Sequence, residues 1–190
     1  GLFKKIIEEV GELGFNGRIS PHFYGEPLLD ERLPHLMRYT REKVPESKII
    51  IFTNGDLLTR KKLEELLDNG VDGFLVTQYN GKGLRLLNEL KPEQRRRISY
   101  KVLSDKSYLF NRGGLVNPNR VRRMNRCFHP SDYLVIDFKG NVVLCCNDYY
   151  SNHVFGNLQS ENLVNVWNKE EYREVRRETR AGNFSLDICK

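Results

Sequence analysis

Residues 48–52 read KIIIF, an apolar run without the alternation of a half-exposed strand. Such a run predicts a parallel strand covered on both faces. Parallel strands cannot be joined by a tight turn; they need a crossover, usually a helix. The flanking segments supply that rhythm. An amphipathic helix is predicted over 2–13, with Leu2, Phe3, Ile6, Ile7, Val10 and Leu13 on one stripe and Gly14 as its stop. RISPHFY (18–24) reads as a strand leading into a GEP loop, and 31–43 as a helix with Leu33, Leu36 and Met37 inward. Thr59 is the expected N-cap of the next helix, which buries Leu63, Leu66 and Leu67 and ends at Gly70. DGFLVT (72–77) and RISYKV (97–102) read as further strands, with a helix over 82–90 between them. This order predicts a parallel sheet with helices outside it, and strand-exit loops gathered on one rim.

The rhythm breaks near residue 104. A stretch rich in Gly, Asn and Arg follows, read as a linker or rim loop. DYLVIDF-KG-NVVLC then predicts a β-hairpin turning at Lys139–Gly140, and 160–182 a capped amphipathic helix with Leu163, Val166, Trp167 and Val175 on one stripe and Gly182 at its end. The expected division is therefore 1–115 and 116–190, an α/β unit followed by a small α+β unit.

Charge and composition narrow the class. Lys and Arg number 31 against 25 Asp and Glu, a net +6, so anionic partners are favoured only weakly. No apolar run approaches the ~20 residues of a membrane span, and the opening lacks a signal peptide's core and cleavage site. A cytoplasmic location is expected. In such a compartment the cysteines, 4 in number, are expected to bind metal or do redox chemistry rather than form a disulfide scaffold.

Candidate site residues follow from position. A hairpin returning on itself brings Cys145 near Cys127, and a long last helix can bring Cys189 back to them. Thiolates converging from distant segments build Fe–S and Zn sites. Neighbouring strand residues face opposite ways, so of Cys145 and Cys146 one ligand and one packing residue are expected. Gly25, Glu26 and Pro27 put a carboxylate on the predicted rim, where it can receive an ammonium group. Thr53, Asn54 and Gly55 leave the next strand, and Thr77 ends the one after. Arg95, Arg96 and Arg97, with Arg120, Arg122, Arg123 and Arg126, are read as solvated faces or contacts to phosphate or acidic peptide. His22, His35, His129 and His153 have no HxH or HExxH spacing, so a His-based zinc hydrolase gains no support.

GEPLL, TNG and LVT in this order, then Cys127-x12-Gly140-x4-Cys145, CND, Gly156-Asn157, Val166-Trp167-Asn168 and a terminal Cys189, resemble a radical S-adenosylmethionine enzyme with a SPASM or twitch extension. The resemblance covers nearly the whole chain. It implies a partial (β/α) barrel followed by a small auxiliary-cluster domain of hairpin plus helix. It places Gly25, Glu26 and Pro27 at the motif that holds the methionyl amino group, Thr77 near the ribose, and Thr53, Asn54 and Gly55 on the same rim. Cys127, Cys145 and Cys189 correspond to ligands of an auxiliary [4Fe–4S] cluster, with Cys146 as a substitute for a missing fourth.

By the same resemblance, S-adenosylmethionine yields a 5′-deoxyadenosyl radical that abstracts hydrogen from a peptide or small-molecule substrate, with an external electron donor. The family's CxxxCxxC, which holds the catalytic cluster, is absent from these residues. The chain is therefore expected to be either a piece of a longer enzyme, the favoured reading, or a degenerate member of the family. Two other classes remain open: a non-catalytic Fe–S or Zn module, and a metal-free α/β protein with basic nucleic-acid contacts, the latter disfavoured.

Overall fold

The structure, a computed structural model, describes residues 1–79, 85–104, 107, 109–117 and 124–189. The chain separates into two compact units, Phe3–Asp105 and Lys106–Lys190, with Leu2 grouped with the second, so the division falls ahead of the compositional break at 115.

In the first unit four strands pair in parallel and in chain order: β1 (Arg18–Ile19), β2 (Lys48–Thr53), β3 (Gly73–Gln78) and β4 (Ile98–Val102). Helices α1 (Leu2–Glu12), α2 (Leu33–Lys43) and α3 (Arg60–Asp68) accompany them, with a single turn α4 (Pro92–Arg95) before β4. When each crossover has the same hand and each strand is added on the same side, the connecting helices fall on one face of the sheet. Side chains alternate accordingly. Ile49, Ile51, Phe74 and Val76 are buried in one cluster with Met37, Leu63 and Leu66. Ile50, Phe52, Leu75 and Thr77 point the other way and are only half-buried. The expectation that KIIIF is covered on both faces is thus corrected: this unit's helices cover one.

The first strand is shorter than 18–24. Pro21 has no N–H to donate, and His22 N turns back to Ser20 O at 2.8 Å. In α1 the stripe narrows to Ile7 as its buried residue, and Leu13 is exposed. The helix expected over 82–90 is a 3₁₀ turn, Arg85–Asn88, with 82–84 outside the described residues. Thr59 caps α3 as expected, its hydroxyl accepting from Lys62 N at 3.2 Å. Asp72 fastens the start of β2: its Oδ2 accepts from Ile49 N at 2.8 Å and Arg41 Nη2 at 2.6 Å.

The second unit holds the one-turn α5 (His129–Asp132) and an antiparallel sheet of β5 (Val135–Ile136), β6 (Asn141–Val143) and β7 (Val154–Asn157). The hairpin turn is longer than the expected pair of residues. Asp137 N donates to Asn141 O, and Gly140 N to Asp137 O, leaving Phe138, Lys139 and Gly140 in the loop. Gly140, at φ 85°, supplies the left-handed step that closes a three-residue turn of this kind. The final helix is also corrected. It is two helices, α6 (Leu163–Asn168) and α7 (Glu170–Ala181), broken at Lys169 where ψ is 136°. Lys169 pairs with Glu161 at 2.6 Å, and Val166 and Tyr172 are the fully buried residues of the two pieces.

Replacing the α3 cap by Thr59→Ala leaves Lys62 N without its acceptor. It is expected to lower unfolding free energy by about 1 kcal/mol in urea titrations, with an unchanged m-value.

Candidate functional site

Each unit gathers one group of the predicted site residues. In the first, Glu26 is the organising side chain. It follows Gly25, which is exposed, holds φ 94° and has open space where a Cβ would stand. It caps the 3₁₀ turn Pro27–Leu29: its Oε1 accepts from Leu28 N at 3.1 Å. The same oxygen accepts from Thr53 Oγ1 at 2.7 Å, and Oε2 accepts from Asn54 N at 2.8 Å. Thr53 Oγ1 in turn accepts from Gly55 N at 3.0 Å, and Asn54 Oδ1 from Asp56 N at 2.8 Å. Leu28 is buried in the core, and Lys62 Nζ donates to its carbonyl at 2.9 Å.

The loop after β1 is therefore fastened to the exit of β2 through one carboxylate. An ionised carboxylate has roughly four acceptor sites, so three bonds leave room for a further donor. The structure brings Gly25–Pro27 and Thr53–Gly55 together. Thr77 shares the strand-exit rim but not the face. Thr53 lies opposite Val76 in the ladder, so Thr77, one residue on, points to the other side. That side carries residues the sequence reading did not single out. His22 stacks on Phe52 with ring centroids 4.8 Å apart, and the Arg18 guanidinium lies 5.4 Å above the same ring. The spacing of Arg18, Ser20 and His22 was the available signal, weakened by Pro21.

In the second unit the four cysteines are all free thiols, and they are carried by three separate pieces of chain, Cys145 and Cys146 sharing one. Cys127 is hung on the end of α7, its N donating to Thr179 O at 2.8 Å. Gly182, at φ 90°, makes that approach possible: a Cβ there would stand 2.4 Å from Asn125 O. Cys145 and Cys146 lie beyond the end of β6, in a turn, so strand alternation does not separate their sulfurs. Asp148, fully buried, holds the turn by accepting from Asn152 N and His153 N, each at 2.9 Å. Cys145 Sγ accepts from Asn147 N at 3.3 Å. Cys146 is exposed, which corrects its reading as a packing residue. Cys189 ends the 3₁₀ turn Asp187–Cys189.

Electrostatics join these positions. Burial, first of all, pushes the Cys145 thiol up to about 12; Cys146 and Cys189 contribute to the rise, and the backbone N–H groups of Asn147 and Asp148 oppose it. Cys189 is pushed up to about 11, first by burial, then by Cys127 and Asp148. Desolvation around its sulfur raises Cys146 although the residue is exposed overall; Arg112 draws it down and Cys127 pushes it up. Each of these three thiols thus feels at least one other cysteine. Among the described residues no three of His, Cys, Asp and Glu stand close enough to share a single metal ion. The donor set is soft thiol, and in a [4Fe–4S] cluster each thiolate binds a different iron, so the sulfurs need not converge on one point. The residues present fit such a cluster better than a lone ion. Of the predicted arginines, Arg120, Arg122 and Arg123 lie outside the described residues.

Without metal, thiols whose pKa is raised by folding add stability below the unfolded value of 9.0, and this is lost as pH climbs through about 11 and 12. The urea midpoint of metal-free protein is expected to fall steadily above pH 9, and less steeply in Cys145→Ala.

Residues 127–190 match the family described as SPASM, an iron–sulfur cluster-binding domain. The chain is 34% identical over 195 residues to the S-adenosyl-L-methionine-dependent 2-deoxy-scyllo-inosamine dehydrogenase of Niallia circulans, covering 100% of this chain and 78% of that protein. It is similar to the crystal structure of BtrN in complex with AdoMet and 2-DOIA, with TM-score 0.92 and 34% identity, covering 100% of this chain and 77% of that one. An open conformation of BtrN is also similar, at TM-score 0.80 and 31% identity with the same coverage.

Proposed function

Since the chain belongs to the radical S-adenosylmethionine enzymes that carry a SPASM iron–sulfur domain, we propose that it serves the oxidation of a hydroxyl-bearing small molecule to a ketone. The curated relative is a dehydrogenase of an aminocyclitol, which supports this over a peptide substrate. The in-order parallel sheet with helices on one face is read as part of a (β/α) barrel. The residues from 116 onward are read as the auxiliary-cluster domain.

A bound iron–sulfur cluster and S-adenosylmethionine supply the radical that removes hydrogen from a substrate carbon. The work of this chain's own residues is holding and shielding. Glu26, with acceptor capacity left after its three bonds, would take the methionyl ammonium. Gly25 lets the backbone come close, and Pro27 begins the turn that aims Glu26. Thr53, Asn54 and Gly55 keep that carboxylate in place, and Thr77 is read as a ribose contact. Ile50, Phe52 and Leu75 give the open sheet face an apolar floor that excludes water. Cys127, Cys145 and Cys189 would hold the auxiliary [4Fe–4S] cluster, with Cys146 next to hand as a fourth thiol. A catalytic cluster would need cysteines that these residues do not contain. An external donor would supply the electron that starts the reaction; the substrate radical would then lose a proton to solvent and one electron to the auxiliary cluster, which completes the two-electron oxidation and balances the electron first supplied.

The observation that carries the reading is that three distant segments carry four free thiols within the residues that match the iron–sulfur family. Anaerobic reconstitution with iron and sulfide is expected to give a broad band near ~400 nm. Cys127→Ala and Cys145→Ala are expected to lose it. Zinc bound without that band would favour a structural module instead. In the full-length enzyme, 2-deoxy-scyllo-inosamine with S-adenosylmethionine and dithionite is expected to give equal amounts of ketone and 5′-deoxyadenosine. Deoxyadenosine without ketone would rule this substrate out.

A further inference from the structure

Helix α7 carries Arg173, Arg176, Arg177 and Arg180, at a spacing that puts them on one face. With Ser131 of α5 and Trp167 of α6 they line a cleft of about 400 Å³, wholly within the second unit. That volume lies in the range of small-molecule sites. No carboxylate lines the cleft among the described residues. Arg173 and Arg177 have acidic partners, Glu170 at 3.9 Å and Glu174 at 3.2 Å, but in exposed pairs that water screens. Arg176 and Arg180 lie over aromatic rings instead. The Arg176 guanidinium is 4.0 Å from the Trp167 ring and 4.5 Å from that of Tyr172, and Arg180 is 5.6 Å from Phe128. Arg176 Nη2 donates to Trp167 O at 2.8 Å, which holds its guanidinium to the cleft wall. Its Nη1 and the Ser131 Oγ are both buried and make no hydrogen bond among the described residues. Buried polar atoms are normally paired, so an unpaired donor and hydroxyl in one cleft wall point to a ligand or an ordered water.

We propose that this cleft binds a phosphate group, as the free ion or on a small soluble molecule. A guanidinium fork donates in parallel to two oxygens of such an anion. A phosphate monoester carries about two negative charges at neutral pH, and Arg176 and Arg180 offer charge that no carboxylate in the cleft offsets. A planar carboxylate occupies one fork. A tetrahedral phosphate can meet guanidiniums from successive turns of α7 together with a hydroxyl from α5. None of these residues is a cysteine or takes part in the radical chemistry, so the site stands or falls apart from the cluster reading.

The chain has a single tryptophan, Trp167, and it lines the cleft, so its fluorescence reports occupancy directly. The test titrates the full chain with sodium phosphate and with glycerol phosphate, at an ionic strength held constant with sodium chloride. Each is expected to give a saturable change in Trp167 fluorescence. Tighter binding of glycerol phosphate assigns the site to a phosphate ester, and equal or weaker binding assigns it to the free ion. Arg177→Gln and Arg180→Gln, both at exposed positions, are each expected to weaken binding roughly tenfold with an unchanged circular dichroism spectrum. Ser131→Ala is expected to weaken it less. No saturable change with either phosphate overturns the proposal, as does wild-type affinity in both arginine variants. Equal or tighter binding of poly-glutamate would make the face a general acidic-protein surface and overturn it too. Binding to phosphatidylserine vesicles without binding of the soluble phosphates would do the same in favour of a membrane surface.

Discussion

The parallel ladder from β1 to β4, paired in chain order, is the constraint on which the first unit depends. A parallel neighbour requires a crossover, and crossovers of one hand on strands added in one direction stack on one face. The apolar content is then divided unequally. Ile49, Ile51, Phe74 and Val76 are sealed under α2 and α3, while Ile50, Phe52, Leu75 and Thr77 remain half-open on the reverse. The open side is a consequence of strand order, and that is where the His22–Phe52 stack and Arg18 lie.

The rim of that sheet is organised by a charge rather than by packing. Glu26 gathers Leu28 N, Asn54 N and the Thr53 hydroxyl, all within 3.1 Å. Charge-assisted hydrogen bonds of this kind are stronger than neutral ones, and here they tie two loops that no strand pairing connects. The carboxylate is both the tie and the chemical group a cation would meet, so scaffold and site share one side chain.

In the second unit the comparable role falls to the end of α7. Gly182 lets the chain at Asn125 pass closely enough for Cys127 N to reach Thr179 O. Asp148 does the same for the turn that carries Cys145 and Cys146. The thiols of Cys145, Cys146 and Cys189 end up desolvated and within electrostatic reach of another cysteine, which raises their pKa in the absence of metal. Soft donors held together at such a penalty have a natural use as cluster ligands, whose iron would stabilise the thiolate form.

Local chemistry was legible from residues alone. The KIIIF and GFLVT strands, the Thr59 cap, the stops at Gly14, Gly70 and Gly182, and the spacing from Cys127 through Gly140 to Cys145 all express short-range rules of propensity, capping and backbone freedom. Order along the chain was enough to suggest the family. Reach and facing were not legible. The sequence could not show that Pro21 and the Ser20 turn end β1 early, that Lys169 breaks the last helix, or that β6 stops before Cys145 and so frees both cysteines from alternation. Nor could it show that Thr53 and Thr77 share a rim but face opposite sides of the sheet. Those outcomes depend on ladder register and on contacts between residues far apart in sequence, which exist only once the backbone has closed on itself. What the amino acids determined alone was which groups are available; the tertiary structure decided which of them meet.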